Sequence, residues 1–341
     1  MNQEEGEADR FPLFLWYILL VQCPDCDVSD NFMLNFGGLM RVLSFIFCAV
    51  LLMGATAVWA YDEIQVTEGG TIAGKVTMVG AKPTPKAFNL ITFPDPVYCG
   101  RISTGTGWRI LNEFTLAQDG GLQDVVVLLR DATKGKPFKF EPPTIEARDC
   151  RFLPFVIEVK DGSEVRVVNM DPVFHDIQAY ETSHLGPRVL FNTPLPMNPH
   201  HKRTVGSHSH EHMAGQPMTE PIHMTKGRRI FVMQCGFHAY MESWGMAVDN
   251  PYYMLTSADG TFSLTEVPPG EYTVVVWHPG VGTMLEKKVT VPAKGTVPVD
   301  FQFESPKGHR SVHEIEENPH FGLKALGKSL DIKPTLELQK P

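Results

Sequence analysis

The chain has 341 residues, with 39 acidic against 30 basic side chains and a net charge of −9. That acidic balance argues against nucleic acid as a partner. The length, with 29 glycines and 27 prolines among Val- and Phe-rich runs, reads as all-β and is sufficient for two β-sandwiches.

Taken in order, residues 1–39 precede an export signal and read as a segment outside the native start, or else as a genuine N-terminal extension. Cys23-x-x-Cys26 within it lacks the βαβ surroundings of a redox pair. Met40-Arg41, the apolar residues 42–53 and Val58-Trp59-Ala60 have the charged start, hydrophobic centre and small-residue end of a signal peptide over 40–60, cleaved before Tyr61. Removing the first sixty residues takes away seven acidic and two basic side chains and leaves the remainder near −4. The apolar residues 11–21 are too few to span a bilayer, so membrane attachment is expected only through an uncleaved N-terminal segment. The expected location is the periplasm, the cell surface or the medium. Of six cysteines, Cys23, Cys26 and Cys48 leave with the leader. In an oxidising compartment Cys99 and Cys150 can pair and leave Cys235 free; the alternative is two buried free thiols.

Residues 70–77 and 124–129 read as strands. Residues 151–159 form another, 161–164 a turn, and 165–168 a strand ending at Asn169, with His175 in a loop beyond it. Next comes a stretch rich in His and Met, including His200, His201, His208, His210 and His212. It reads either as a solvated loop or as an auxiliary metal-binding set. The apolar residues 230–233 then form a buried strand that delivers Cys235, followed at three-residue steps by His238 and Met241. Two histidines, a cysteine and a methionine are the donors of a mononuclear trigonal copper site with a long axial thioether. Singly, each has an ordinary structural reading: a polar loop residue, a small core residue, a core filler.

The joint pattern is more specific. An F-x-P at 152–154, a G-x-x-V-x-V-x-N-x-D-x-x-x-H from Gly162 to His175, and the C-x-x-H-x-x-M of Cys235 to Met241 resemble the cupredoxins, the plastocyanin, pseudoazurin and amicyanin group of Greek-key β-sandwiches. The resemblance implies one blue-copper ion on His175, Cys235, His238 and Met241, with Asn169 near the ligand loops. Asp176 stands where the family usually has Asn, and Ala239 where it often has Pro, so the hydrogen bonds that tune the metal differ here. The resemblance further implies that the histidine of the cysteine loop reaches the surface through an apolar patch, here Phe237, Ala239 and Tyr240. The implied role is one-electron transfer with a redox protein such as a c-type cytochrome. Enzyme activity is not expected, because four protein ligands leave no open position and no His-Cys-His trinuclear motif is present. The alternatives are a copper-handling protein, favoured by the His and Met stretch, and a structural surface module.

Further on, A-D-G-x-F-x-L-x-x-V-P-P-G-x-Y-x-V from Ala258 to Val274, with the opening G-x-I-x-G-x-V from Gly70 to Val76, resembles the carboxypeptidase regulatory-like domain, a transthyretin-like sandwich. Its halves are normally closer in sequence. The expected organisation is therefore a transthyretin-like sandwich of 61–142 plus 249–303, with a cupredoxin-like domain of 143–248 inserted in it. Asp259-Gly260 is expected to make a hairpin turn and Pro268-Pro269-Gly270 a fixed one. H-x-x-E at His208 to Glu211 and at His313 to Glu316 falls in a His-rich loop and a polar tail, so no peptidase is expected. Residues 304–341 read as that tail.

Overall fold

The structure is a computed structural model that describes residues 61–103, 106–182, 186–201, 212–225 and 227–307. The leader, Cys23 and Cys26, His208, His210 and nearly all of the tail lie outside the described residues. None of the described helices is long and apolar enough to cross a membrane.

The fold is all-β, as expected. One pair of sheets comes from the middle of the chain. The first runs Met218–Pro221, Glu164–Asn169, Thr144–Ala147, Phe152–Leu153. The second runs Arg188–Leu195, His175–Glu181, Ile230–Gln234, Glu242–Val248, Val156–Lys160. Alternation supplies their shared core: Ile145, Val165 and Val167 from the first sheet, Ile157, Val159, Ile177, Phe231 and Met233 from the second. The turn at Gly162, with φ at +79°, carries the chain from one sheet to the other.

The other pair of sheets comes from both ends of the described chain. Tyr253–Leu255, Val126–Arg130, Gly270–Trp277 and Met284–Val291 form one; Thr261–Val267, Gly70–Val79 and Thr296–Pro298 form the next, where Phe301–Glu304 also pairs with Gly70–Val79. Two of these strands are apolar on both faces. Val127, Leu129, Val274 and Val276 enter the core of this pair, while Val126, Leu128, Val275 and Trp277 meet Val156, Met246 and Val248 of the five-stranded sheet. A strand buried on both sides needs a continuous apolar run rather than alternation, and Val126-Val127-Leu128-Leu129 is one.

Two expectations are corrected. Asp259-Gly260 does not join hairpin partners, because Tyr253–Leu255 and Thr261–Val267 lie in different sheets. Gly260 is needed there because its φ is +81° and a Cβ would lie 2.4 Å from the Val76 carbonyl oxygen. Residues 86–111, grouped by sequence with the outer sandwich, instead place Phe88, Leu90, Tyr98, Cys99 and Ile102 in the core of the middle sheets. The Cys99–Cys150 disulfide ties this segment down, as the cysteine arithmetic anticipated.

Between the sheet pairs, Glu158 shares the face of Val156, and its Oε1 has no hydrogen-bond partner among the described residues. Burial, reinforced by Asp124, pushes its carboxyl up to about 7. The folded state therefore holds this proton more tightly than the unfolded chain. Its contribution is complete below the ordinary glutamate range and is lost as pH rises through about 7. We expect Glu158→Gln to remove a loss of about 3 kcal/mol between pH 4.5 and 8, measured by urea unfolding across that range. Identical pH dependence in both proteins would rule this out.

Candidate metal centre

Three donor atoms converge at the end of the five-stranded sheet. His175 opens the strand His175–Glu181, while Cys235 and His238 follow Ile230–Gln234, its antiparallel neighbour. The loop closes on itself: Met241 N–H donates to the His238 carbonyl at 2.7 Å, and Cys235 N–H donates to the Met241 carbonyl at 3.1 Å. A Cβ at Gly236 would lie 2.3 Å from Gln178 Nε2 and 2.8 Å from Asp176 Oδ2, so a side chain there would push those two polar ends aside. The Gly236 N–H donates to Asp176 Oδ1, which ties the two donor-bearing strands together.

His175 Nδ1 and His238 Nδ1 are 3.2 Å apart, and Cys235 Sγ lies 4.0 Å from the first and 3.6 Å from the second. All three residues are fully buried. Metal–nitrogen bonds of about 2.0–2.1 Å and a metal–sulfur bond of about 2.3 Å, spread trigonally, require N···N near about 3.5 Å and S···N near about 3.8 Å. The donors stand within about 0.4 Å of those separations, so small side-chain shifts would complete the set.

The outer nitrogens explain why lone pairs face inward. His175 Nε2 lies 3.0 Å from Asp171 Oδ2, and His238 Nε2 lies 3.1 Å from the Pro94 carbonyl oxygen. Both partners accept, so each ring donates from Nε2, and a ring with a single proton aims an unprotonated Nδ1 at the centre. Burial, with the His175 ring beside it, lowers His238 to about 4 and keeps it neutral. Burial also pushes the Cys235 thiol up to about 12, against backbone N–H groups of Asp176 and Phe237 that favour the thiolate. Two lone pairs and a thiol in a dry site are a set completed by a metal cation, which would take the thiol proton's place.

Met241 is fully buried in the same core. Asn169 pins the ligand loop by donating to the carbonyls of Val173, Leu195 and Pro196 and accepting from Asp171 N–H. Asp171 itself carries more than its place in the motif suggested. Fully buried, it accepts from Tyr98 Oη and Asp149 N–H on one oxygen and from Cys150 N–H and His175 on the other. Its position four residues before His175 was the available signal. Nothing in the sequence pointed to the Pro94 carbonyl.

The expected exit patch is corrected. His238 and Tyr240 are buried, not at the surface, because residues 93–99 cover them. Phe93 and Tyr240 meet edge to face at 5.1 Å, and Cys99 Sγ is 3.9 Å from His238 Nε2. Phe237 and Ala239 are exposed, and Phe237 pairs edge to face with the exposed Phe174 at 5.2 Å. Of the auxiliary set, His200 is exposed, while His201 and His212 both set Nδ1 against the Met170 carbonyl, at 3.2 and 3.3 Å. Burial opposes charge on His212, yet the Asp149 carboxylate beside it raises it above the usual histidine range.

Comparison with known proteins gives a family match over part of the chain. Residues 247–304 match the carboxypeptidase regulatory-like domain. No curated protein matches. Among solved structures the chain is weakly similar to a purple cupredoxin from Nitrosopumilus maritimus, at 18% identity and a TM-score of 0.22, covering 31% of this chain and 99% of that one. The amicyanin of Paracoccus versutus shows 14% identity and a TM-score of 0.21, with 32% and 84% covered. A copper-containing nitrite reductase of Thermus scotoductus shows 18% identity and a TM-score of 0.22, with 34% and 24% covered.

Proposed function

We propose that this chain is an exported copper protein that carries single electrons on one copper ion held by His175, Cys235, His238 and Met241. The observation that carries this reading is the convergence of the two Nδ1 atoms, 3.2 Å apart, with the Cys235 sulfur. Two imidazoles and a thiolate with a buried thioether nearby are the donors that suit copper in both oxidation states. Bound there, copper supplies a reversible one-electron couple.

The chain does the rest. Asp171 and the Pro94 carbonyl hold both rings in the ligating tautomer, Asp176 locks the cysteine loop to the histidine strand, and full burial excludes water. Electrons leave through the exposed Phe174–Phe237 pair, whose members adjoin His175 and His238 in sequence, toward a redox protein such as a c-type cytochrome. The disulfide supports an oxidising compartment, and with it the leader reading of residues 40–60. We also propose that the sandwich containing this centre is inserted between the two halves of the regulatory-like one. A second reading, copper handling, is favoured by the burial of His238, which separates the centre from direct contact with a partner.

Titration of the metal-free protein with copper(II), followed by visible and electron paramagnetic resonance spectra, tests the assignment. One equivalent should give an intense thiolate-to-copper band that is absent in Cys235→Ala. An unchanged band in that variant, or none in the native chain, overturns it.

A further inference from the structure

A second cluster of donors lies beside the first centre. His212 Nδ1 faces the Met170 carbonyl at 3.3 Å, and its Nε2 faces Asp149 Oδ1 at 2.9 Å. Both partners accept and neither donates. A neutral imidazole has one proton to give, so the second contact requires a cation: another proton or a metal ion. A donor atom from each of Asp149, Asp171 and His212 lies within 4.8 Å of the others. His201 stands alongside, its ring 5.3 Å from that of His212 and its Nδ1 on the same Met170 carbonyl.

Access differs between the two clusters. His175, Cys235 and His238 are fully buried, whereas the side chains of His212 and Asp149 keep 14% and 19% exposure. An ion can reach the second cluster from solvent. One imidazole with two carboxylates suits a borderline divalent ion better than calcium or magnesium, which prefer oxygen alone.

We propose that Asp149, Asp171 and His212 form a second cation site that takes a divalent transition-metal ion such as zinc(II) or copper(II). Asp171 connects it to the first centre, because the same carboxylate accepts from His175 Nε2. A cation drawing on that carboxylate weakens its hold on the His175 N–H and makes His175 a poorer electron donor. Occupancy of the second site should then favour the reduced state of the first. This coupling rests on the copper reading; the site itself does not.

Zinc(II) is the probe, counted by isothermal titration and metal analysis on the intact chain and on His212→Gln and Asp149→Asn. Each variant should bind one zinc fewer than the native protein, whether or not zinc also enters the first centre. Equal zinc counts in all three proteins overturn the proposal, and variants that lose only folding stability reduce the pair to an ordinary ion pair. The copper(II) band of the first centre is recorded on the same samples. Its absence would count against the copper reading while leaving the zinc count interpretable. With copper bound, added zinc should raise the midpoint potential in the native chain and leave it unmoved in His212→Gln.

Discussion

Asp171→Asn is expected to lower copper affinity by about 10–100-fold while leaving most of the fold intact. The carboxylate accepts on all sides, from Tyr98, Asp149, Cys150 and His175. An amide of the same shape keeps one accepting oxygen and turns a donating NH₂ toward whatever met the other. If the oxygen stays with Tyr98 and Asp149, the NH₂ meets Cys150 N–H, which loses its acceptor at a cost of about 1–3 kcal/mol, and His175 Nε2, which must then accept. The proton moves to Nδ1, where it points at the metal position. Affinity falls because the ring takes the wrong tautomer. Asp171→Ala should behave differently. It leaves several buried donors unsatisfied, at about 1–3 kcal/mol each and not additively, so unfolding stability should drop by about 3–5 kcal/mol. Copper titration and urea unfolding separate the two. Native affinity in Asp171→Asn would show that the carboxylate does not set the tautomer.

Removing the disulfide should have the other large effect. Cys99 and Cys150 are 51 residues apart in sequence, and closing a loop of that size stabilises by about 4 kcal/mol on the chain-entropy account, at the top of the usual range. Its position gives it a local role as well. The bond anchors the segment whose Pro94 carbonyl holds the His238 N–H and whose Cys99 sulfur lies against the same ring. The double variant Cys99→Ala/Cys150→Ala should unfold at lower urea and release copper to a chelator faster than the native protein. A lower unfolding midpoint with unchanged copper release would assign the bond to the fold alone.

The parts of this centre that sequence made legible are the local ones. Cys235, His238 and Met241 sit on one short loop after an apolar strand, and Asn169 to His175 is one strand end, so spacing and alternation carry their meaning. The cysteine pair was legible by counting. What escaped was assembled over long separations. The Pro94 carbonyl reaches His238 across 144 residues through a backbone atom, which leaves no residue-type signature. The segment 86–111 packs over the centre by apolar contacts that would fit either core. Asp259-Gly260 showed that the chain turns there, but a left-handed glycine serves a crossing between sheets as well as a hairpin. Acceptors on both sides of His212 belong to separate stretches of chain and meet only in the folded structure.

The strands Val126–Arg130 and Gly270–Trp277 have a consequence for cooperativity. Each sends alternate side chains into the core of its own sandwich and the rest onto the five-stranded sheet that carries His175 and Cys235. Neither sandwich can melt without stripping apolar cover from the other, so the two form a single unfolding unit rather than beads on a string. An ion bound at one end is then felt as thermal resistance throughout, rising with the logarithm of its free concentration over its dissociation constant.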